Sequence, residues 1–188
     1  TPNLEKYISG IIMFDETIRQ NTINSNNPFP KYLEKKGILT GIKVDTGAKD
    51  LAGKNEEKIT EGLDNLRGRL IEYKNLGASF TKWRAVIKIK EDTLPSMTCV
   101  HANAHALARY ASLCQENDLV PIVEPEIIMD GKHDINKCYE VTKNVLNTVF
   151  EKLNLFDVLL EGIVLKPNMI ICGKDCENFC SESAEKVA

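Results

Sequence analysis

Short apolar runs alternate along this chain with longer stretches whose apolar residues recur every three or four positions. Five short runs are rich in Ile and Val and show little polar alternation: 9–14 (SGIIMF), 39–44 (LTGIKV), 82–89 (KWRAVIKI), 119–128 (LVPIVEPEII) and 162–165 (GIVL). Such runs predict parallel strands covered on their outer face. Between them, the spacing of Ile59, Leu63, Leu66, Leu70 and Tyr73 predicts a helix through EEKITEGLDNLRGRLIEYKNLG, stopped by Gly77. KNEEK, at its start near residue 56, reads as a solvated helix start whose acids suit the helix dipole. Ala104, Leu107, Ala111 and Cys114 mark the stripe of the next helix. A third carries Ile135, Cys138, Val141, Val145, Val149 and Leu153, with Asp134 in the N-cap position. After the first strand, Pro28 and Pro30 leave room only for a short helix up to Gly37.

Alternating strand–helix units leave two architectures, an open doubly wound sheet or a closed barrel. The polar residues within the strands decide between them. Lys43 and Asp45, Lys82 and Arg84, Glu124 and Glu126, and then Lys166 lie in or at the ends of separate strands. Residues two apart on a strand share a face. In an open sheet that face would lie under helices, where unpaired charge is costly; in a barrel it points into the interior, toward the catalytic end. The expected fold class is therefore α/β, a (β/α)8 TIM barrel. Five strands do not close such a barrel, so residues 1–188 are expected to be a single, incomplete barrel domain with three strands outside the chain. No linker, repeat or low-complexity segment interrupts it.

Composition narrows the function classes. Hydrophobic residues make up 43% of the 188 and charged residues 27%, as in an ordinary globular chain, and the net charge is −3. No bulk positive field attracts nucleic acid or an anionic membrane, so phosphate binding would have to come from a few placed cations. No apolar run approaches the roughly 20 residues that span a bilayer. TPNLEKY carries no signal peptide, which points to the cytoplasm, although Thr1 is not an initiator Met and the natural start stays open. Cys99, Cys114, Cys138, Cys172, Cys176 and Cys180 are expected to be reduced thiols, because several fall in predicted helices and a chain of this size needs no staples.

A lysine at a barrel-strand end, among other cations and two carboxylates, is a candidate nucleophile. Its amine must be neutral to attack a carbonyl, and desolvation with nearby positive charge favours that state. Lys166, fixed by Pro167, fits this description, and a solvated strand-end lysine is its plain alternative. In IVEPEI, Glu124 and Glu126 could divide proton transfer from lysine positioning, or simply hold a buried salt-bridge network. Lys82 and Arg84 suit phosphate, but could equally pair with Glu124 or Glu126. An internal ion pair is the alternative for Lys43 and Asp45.

Taken together, GIKVDTG, FTKWRAVIKI, LARYAS, VPIVEPEI, DGKHD and LEGIVLKPNM resemble class I fructose-1,6-bisphosphate aldolase, in the family's order and near its spacing. The resemblance covers essentially the whole chain, from the family's second barrel strand to just after its sixth. It implies that Lys166 forms a Schiff base with a phosphorylated ketose and that Glu124 is the general acid/base. It also implies that Glu126 and Lys82 form a supporting charge pair, that Lys43 and Arg84 lie near the distal phosphate, and that Asp45 belongs to the same inner layer. No metal or other cofactor is implied; a homotetramer is. The family's first, seventh and eighth strands and its C-terminal tail have no counterpart here, so the piece alone is expected to be inactive. Another Schiff-base barrel aldolase, or an aldolase-fold interaction or scaffold protein, are the competing readings.

Two other patterns resemble metal sites only in part. Cys172, Cys176 and Cys180 are spaced unlike the common zinc and iron–sulfur motifs. His101 and His105 would share a helix face, but Ala102 stands where a zinc protease needs Glu, so a contact between helices or subunits is expected.

Overall fold

A computed structural model describes residues 3–91, 93–177 and 187 of the chain. The elements run β1 (Gly10–Met13), α1 (Asp15–Ile18), α2 (Phe29–Glu34), β2 (Leu39–Lys43), β3 (Gly47–Asp50), β4 (Lys58–Glu61), α3 (Leu66–Leu76), β5 (Ala78–Ile87), α4 (Met97–Glu116), β6 (Val120–Ile127), α5 (Ile135–Leu155) and β7 (Val164–Leu165). Strands β1, β2, β5, β6 and β7 form one parallel sheet in that spatial order. Each new strand is laid beside the one before it, with no reversal of direction. A doubly wound sheet needs such a reversal, and a barrel does not.

Strand β5 shows why the sheet has two unlike faces. Thr81, Trp83, Ala85 and Ile87 are buried, while Lys82, Arg84 and Val86 between them are only partly so. The Trp83 ring stacks on Tyr110 of α4, with centroids 5.4 Å apart, which fixes the odd positions on the helix side. Lys82 and Arg84 therefore point to the opposite, inner side. On that inner side Phe80 fills the space above Gly10 and Gly41: a Cβ on Gly41 would come within 2.3 Å of its ring. The helix side is closed mainly by α4 and α5, whose Leu107, Ala111, Val145, Val149 and Leu153 join Trp83, Ala85 and Val123 in one core.

One predicted helix is shorter than its pattern. Ile59 and Thr60 lie in β4, which pairs antiparallel with β3, and α3 begins only at Leu66. Gly62, at φ 126°, is the cause: its backbone passes so close to Thr46 that a Cβ would sit 2.9 Å from the Thr46 amide nitrogen. Buried Asn103 on α4 then holds the hairpin, donating to the Lys58 carbonyl (2.9 Å) and accepting from the Thr60 N–H (3.3 Å). KNEEK is accordingly not a solvated helix start. Glu57 is 3% exposed and its carboxylate accepts from the N–H (2.7 Å) and hydroxyl (2.5 Å) of Ser96, the N-cap residue of α4.

Helix α5 starts where its sequence predicts, with the Asp134 carboxylate accepting from the Lys137 N–H at 2.7 Å. Asp134→Ala removes that cap and is expected to lower stability by about 1 kcal/mol in denaturant titration. Cys99, Cys114 and Cys138 are buried thiols outside any disulfide. Among the described residues, no helix is long and apolar enough to cross a membrane.

Candidate active site

The charged residues of the inner face gather around the C-terminal ends of β2 and β7, the middle of β5 and the second half of β6. Glu124 is at the centre, 2% exposed on β6. Lys166 follows β7, and its N–H bonds the Val123 carbonyl at 2.9 Å, carrying the strand direction one residue further. This puts Lys166 level with Glu124, because Val123 is in register with Leu165. Lys166 Nζ donates to Glu124 Oε1 at 2.6 Å. On the other side Lys82 Nζ is 3.0 Å from Oε2, near enough for an ion pair but off the line of a hydrogen bond.

Lys82 thus pairs with Glu124, one of the two partners its sequence left open, and not with Glu126 as the resemblance implied; Arg84 takes Glu126. The register explains the correction. Lys82 lies opposite Ile122 and Arg84 opposite Glu124, so each cation reaches the carboxylate two residues beyond its partner. For Lys82 to reach Glu126 it would have to span four residues along the strand, about 13 Å, beyond the length of a lysine side chain. Lys43 pairs with Asp45 at the end of β2. The Asp45 carboxylate is 2% exposed and also accepts from the N–H of Gly47 (3.1 Å) and of Arg84 (3.4 Å), so it ties β2 to β5 besides neutralising a lysine.

Burial alone would raise the Glu124 carboxyl, but the hydrogen bond from Lys166 and the charge of Lys82 outweigh it and hold the group below its usual 4.5. Glu124 is therefore a carboxylate at neutral pH, ready to accept a proton. Lys166 was expected to be desolvated, yet its side chain is 58% exposed, because β7 is an edge of the described sheet. Four cations (Lys43, Lys82, Arg84, Lys166) face three carboxylates (Asp45, Glu124, Glu126) in this layer.

Beside Lys166 a cleft of about 280 Å³ is lined by Glu126, His133, Cys138 and Asn168 among others. Two of these escaped the sequence reading. Asn168 bonds both to β6 and to α5, and His133 lies in the quoted DGKHD motif without a role assigned. His133 is 9% exposed, and among the described residues neither ring nitrogen has a hydrogen-bond partner. It is roofed by the segment after β7, whose Gly173, Lys174 and Asp175 N–H groups bond the carbonyls of His133 (2.8 Å), Met129 (2.8 Å) and Gly131 (3.0 Å).

Burial pushes the imidazole below its ordinary 6.5, against the opposing charge of Asp134. The folded state therefore prefers neutral His133, while the unfolded chain binds a proton at the ordinary value. This contribution is complete above pH 6.5 and declines as pH falls below it, until the folded group protonates too. His133→Phe is expected to flatten the fall in Tm over that window, and parallel Tm–pH curves for the two proteins would contradict the assignment.

Among the described residues, no group of three or more His, Cys, Asp or Glu is placed to hold a metal ion. Cys180 of the Cys172–Cys176–Cys180 spacing lies outside the described residues. His105 packs edge-on against Phe156, with centroids 5.2 Å apart, a contact between α4 and the end of α5.

Parallel strands wound in one direction, with a strand-end lysine bound to a buried glutamate between cations, are those of an α/β protein with a charged layer on one face of its parallel sheet. The model of the class-I fructose-bisphosphate aldolase family matches residues 1–188, and the chain belongs to that family. It is 60% identical over its whole length to a probable fructose-bisphosphate aldolase class 1 of Xanthomonas campestris, covering 55% of that protein. Across 97% of the chain it is 50% identical to the cytosolic fructose-bisphosphate aldolase 5 of Arabidopsis thaliana, covering 50% of it. The fold matches a Plasmodium falciparum fructose-bisphosphate aldolase, solved with TRAP and a small-molecule inhibitor, at a TM-score of 0.93 and 45% identity. That match covers all of this chain and 53% of the other. The five-stranded sheet is thus part of a TIM barrel, and the chain spans about half the length of the relatives it matches.

Proposed function

We propose that the protein is a lyase that reversibly cleaves fructose 1,6-bisphosphate to dihydroxyacetone phosphate and glyceraldehyde 3-phosphate, in glycolysis and gluconeogenesis, through a Schiff base on Lys166. The observation that carries this reading is the contact between Lys166 Nζ and Glu124 Oε1 at 2.6 Å, with Lys82 beside the other oxygen. A neutral Lys166 amine adds to the C2 ketone, giving a carbinolamine. Glu124, having first taken the Lys166 ammonium proton and so freed the amine, gives that proton to the carbinolamine hydroxyl, so that water leaves and a protonated imine forms. That cation accepts the electron pair of the C3–C4 bond as the C4 hydroxyl loses its proton to a base. The aldehyde departs, the enamine is protonated at C3, and hydrolysis frees the second triose phosphate and the amine.

Lys82 stays beside Glu124 and favours its ionised form between turns. Lys43 and Arg84 are assigned to a phosphate of the substrate, which would compete with Asp45 and Glu126 for them; Asp45 anchors the layer. The protein is assigned to the cytosol as a homotetramer, without nucleic-acid or membrane partners, in keeping with its net charge and with the cytosolic Arabidopsis relative. The test uses the complete gene product. Dihydroxyacetone phosphate followed by borohydride should leave a stable adduct on the peptide that contains Lys166, and a folded protein without that adduct would overturn the reading.

A further inference from the structure

Strand β6 is poorly equipped to hold the strand that carries Lys166. The Ile128 N–H turns toward β5, bonding the Ile87 carbonyl at 2.9 Å, and the Val123 carbonyl turns toward β7. Backbone groups alternate sides along a strand, so the odd positions of β6 face β7. Two of them are Pro121 and Pro125, which have no N–H to give. The ladder is accordingly short, with only Ile122 paired to Val164 and Val123 to Leu165. The last donor on this side is the N–H of Ile127, a buried residue, and among the described residues no strand backbone reaches it. Left unpaired, it would be costly.

Asn168 takes that place. Its Oδ1 accepts from the Ile127 N–H at 3.3 Å. A backbone N–H can only donate, so this contact fixes which end of the amide is oxygen. The Nδ2 then donates to Thr142 Oγ1 on α5 at 3.2 Å and to the Met169 carbonyl at 3.0 Å. Thr142 is itself 4% exposed and rigidly placed in the helix. The two residues after Lys166 therefore form a clamp: Pro167 restricts the backbone, and Asn168 fastens it to both β6 and α5.

We propose that Asn168 is a positioning residue for Lys166, replacing the missing strand pairing with side-chain hydrogen bonds and so holding Nζ against Glu124. The inference rests on the Schiff-base reading and deepens it. Asn168 touches no reacting atom. It acts by placing the lysine that does, and small displacements of a reacting group are expensive in rate.

The test compares wild type, Asn168→Ala and Asn168→Asp in the complete gene product. Asp keeps the acceptor for Ile127 but loses the donor to Thr142. Three readouts are taken: the rate of borohydride-trapped adduct formation with dihydroxyacetone phosphate, the Kd for the uncleavable hexitol 1,6-bisphosphate, and the circular dichroism spectrum. Asn168→Ala is expected to slow trapping by between about tenfold and a hundredfold, with Kd and spectrum close to wild type. Asn168→Asp should recover a clear part of the loss. Equal losses in both variants, or a Kd that rises in step with the rate loss, would mark a general structural role and overturn the proposal. So would an unchanged rate in Asn168→Ala. If wild type itself forms no adduct, the Schiff-base reading fails, and this outcome is separate from any difference among the variants.

Discussion

Lys166→Met is expected to abolish adduct formation with dihydroxyacetone phosphate and to lower turnover at least about a thousandfold, since no other group can replace a covalent nucleophile. Methionine keeps an unbranched stem as far as Cε and removes the amine. Lys166→Arg separates two roles. Arginine keeps a cation within reach of Glu124 but cannot act as a nucleophile at any pH a protein survives. If charge alone mattered, the arginine protein would retain activity; the imine mechanism requires both variants to be inactive. Neither should unfold the protein, because Lys82 still partners Glu124 and the Lys166 side chain is 58% exposed. Turnover by either variant near the wild-type rate would end the Schiff-base reading.

The barrel was legible because it depends on local patterns that repeat. Ile- and Val-rich runs, helix stripes and strand-face charges each carry their own signal, and all five parallel strands lie within or overlapping the runs that predicted them. The β3–β4 hairpin was not legible for a definite reason. Ile59, Leu63 and Leu66 keep helical spacing, but Gly62 closes against Thr46 and turns the chain before a helix can start. Periodicity reports which residues are buried, not whether a close approach elsewhere allows the helix. Glu57 shows the same limit: among neighbouring charges it looked solvated, while its partner Ser96 lies 39 positions away.

Within the inner layer, sequence named a Lys43–Asp45 pair as one alternative but left open which of Glu124 and Glu126 each of Lys82 and Arg84 takes. Lys43, Asp45, Lys82, Arg84, Glu124, Glu126 and Lys166 do lie in one inner layer. Who pairs with whom depends on strand register and on the tilt that makes each contact diagonal, quantities that exist only between strands. Asn168 escaped the sequence reading, although an asparagine after a strand-ending Lys-Pro, opposite a strand with two prolines, lies where backbone donors run short. The spacing of those features gave no hint that Ile127 was the donor left over.

Glu124→Gln tests the division of labour within that layer. The amide is nearly the same shape as the carboxylate and can still accept from Lys166, but it cannot take a proton. Imine formation should slow by about a hundredfold or more, the range that a positioned general base contributes. Binding of the hexitol 1,6-bisphosphate should change little, because Lys43 and Arg84 are untouched. The acid side gives an independent check. The Glu124 carboxyl is held below 4.5 in the folded protein, so its pairing contributes stability that is complete above that value and is lost as pH falls through the lower folded one. Glu124→Gln should remove this part of the acid dependence, giving a shallower fall in Tm below pH 4.5 than wild type shows. Single-turnover rates unchanged by the substitution would place the proton transfer on another group, most directly Glu126, which lines the cleft beside Lys166.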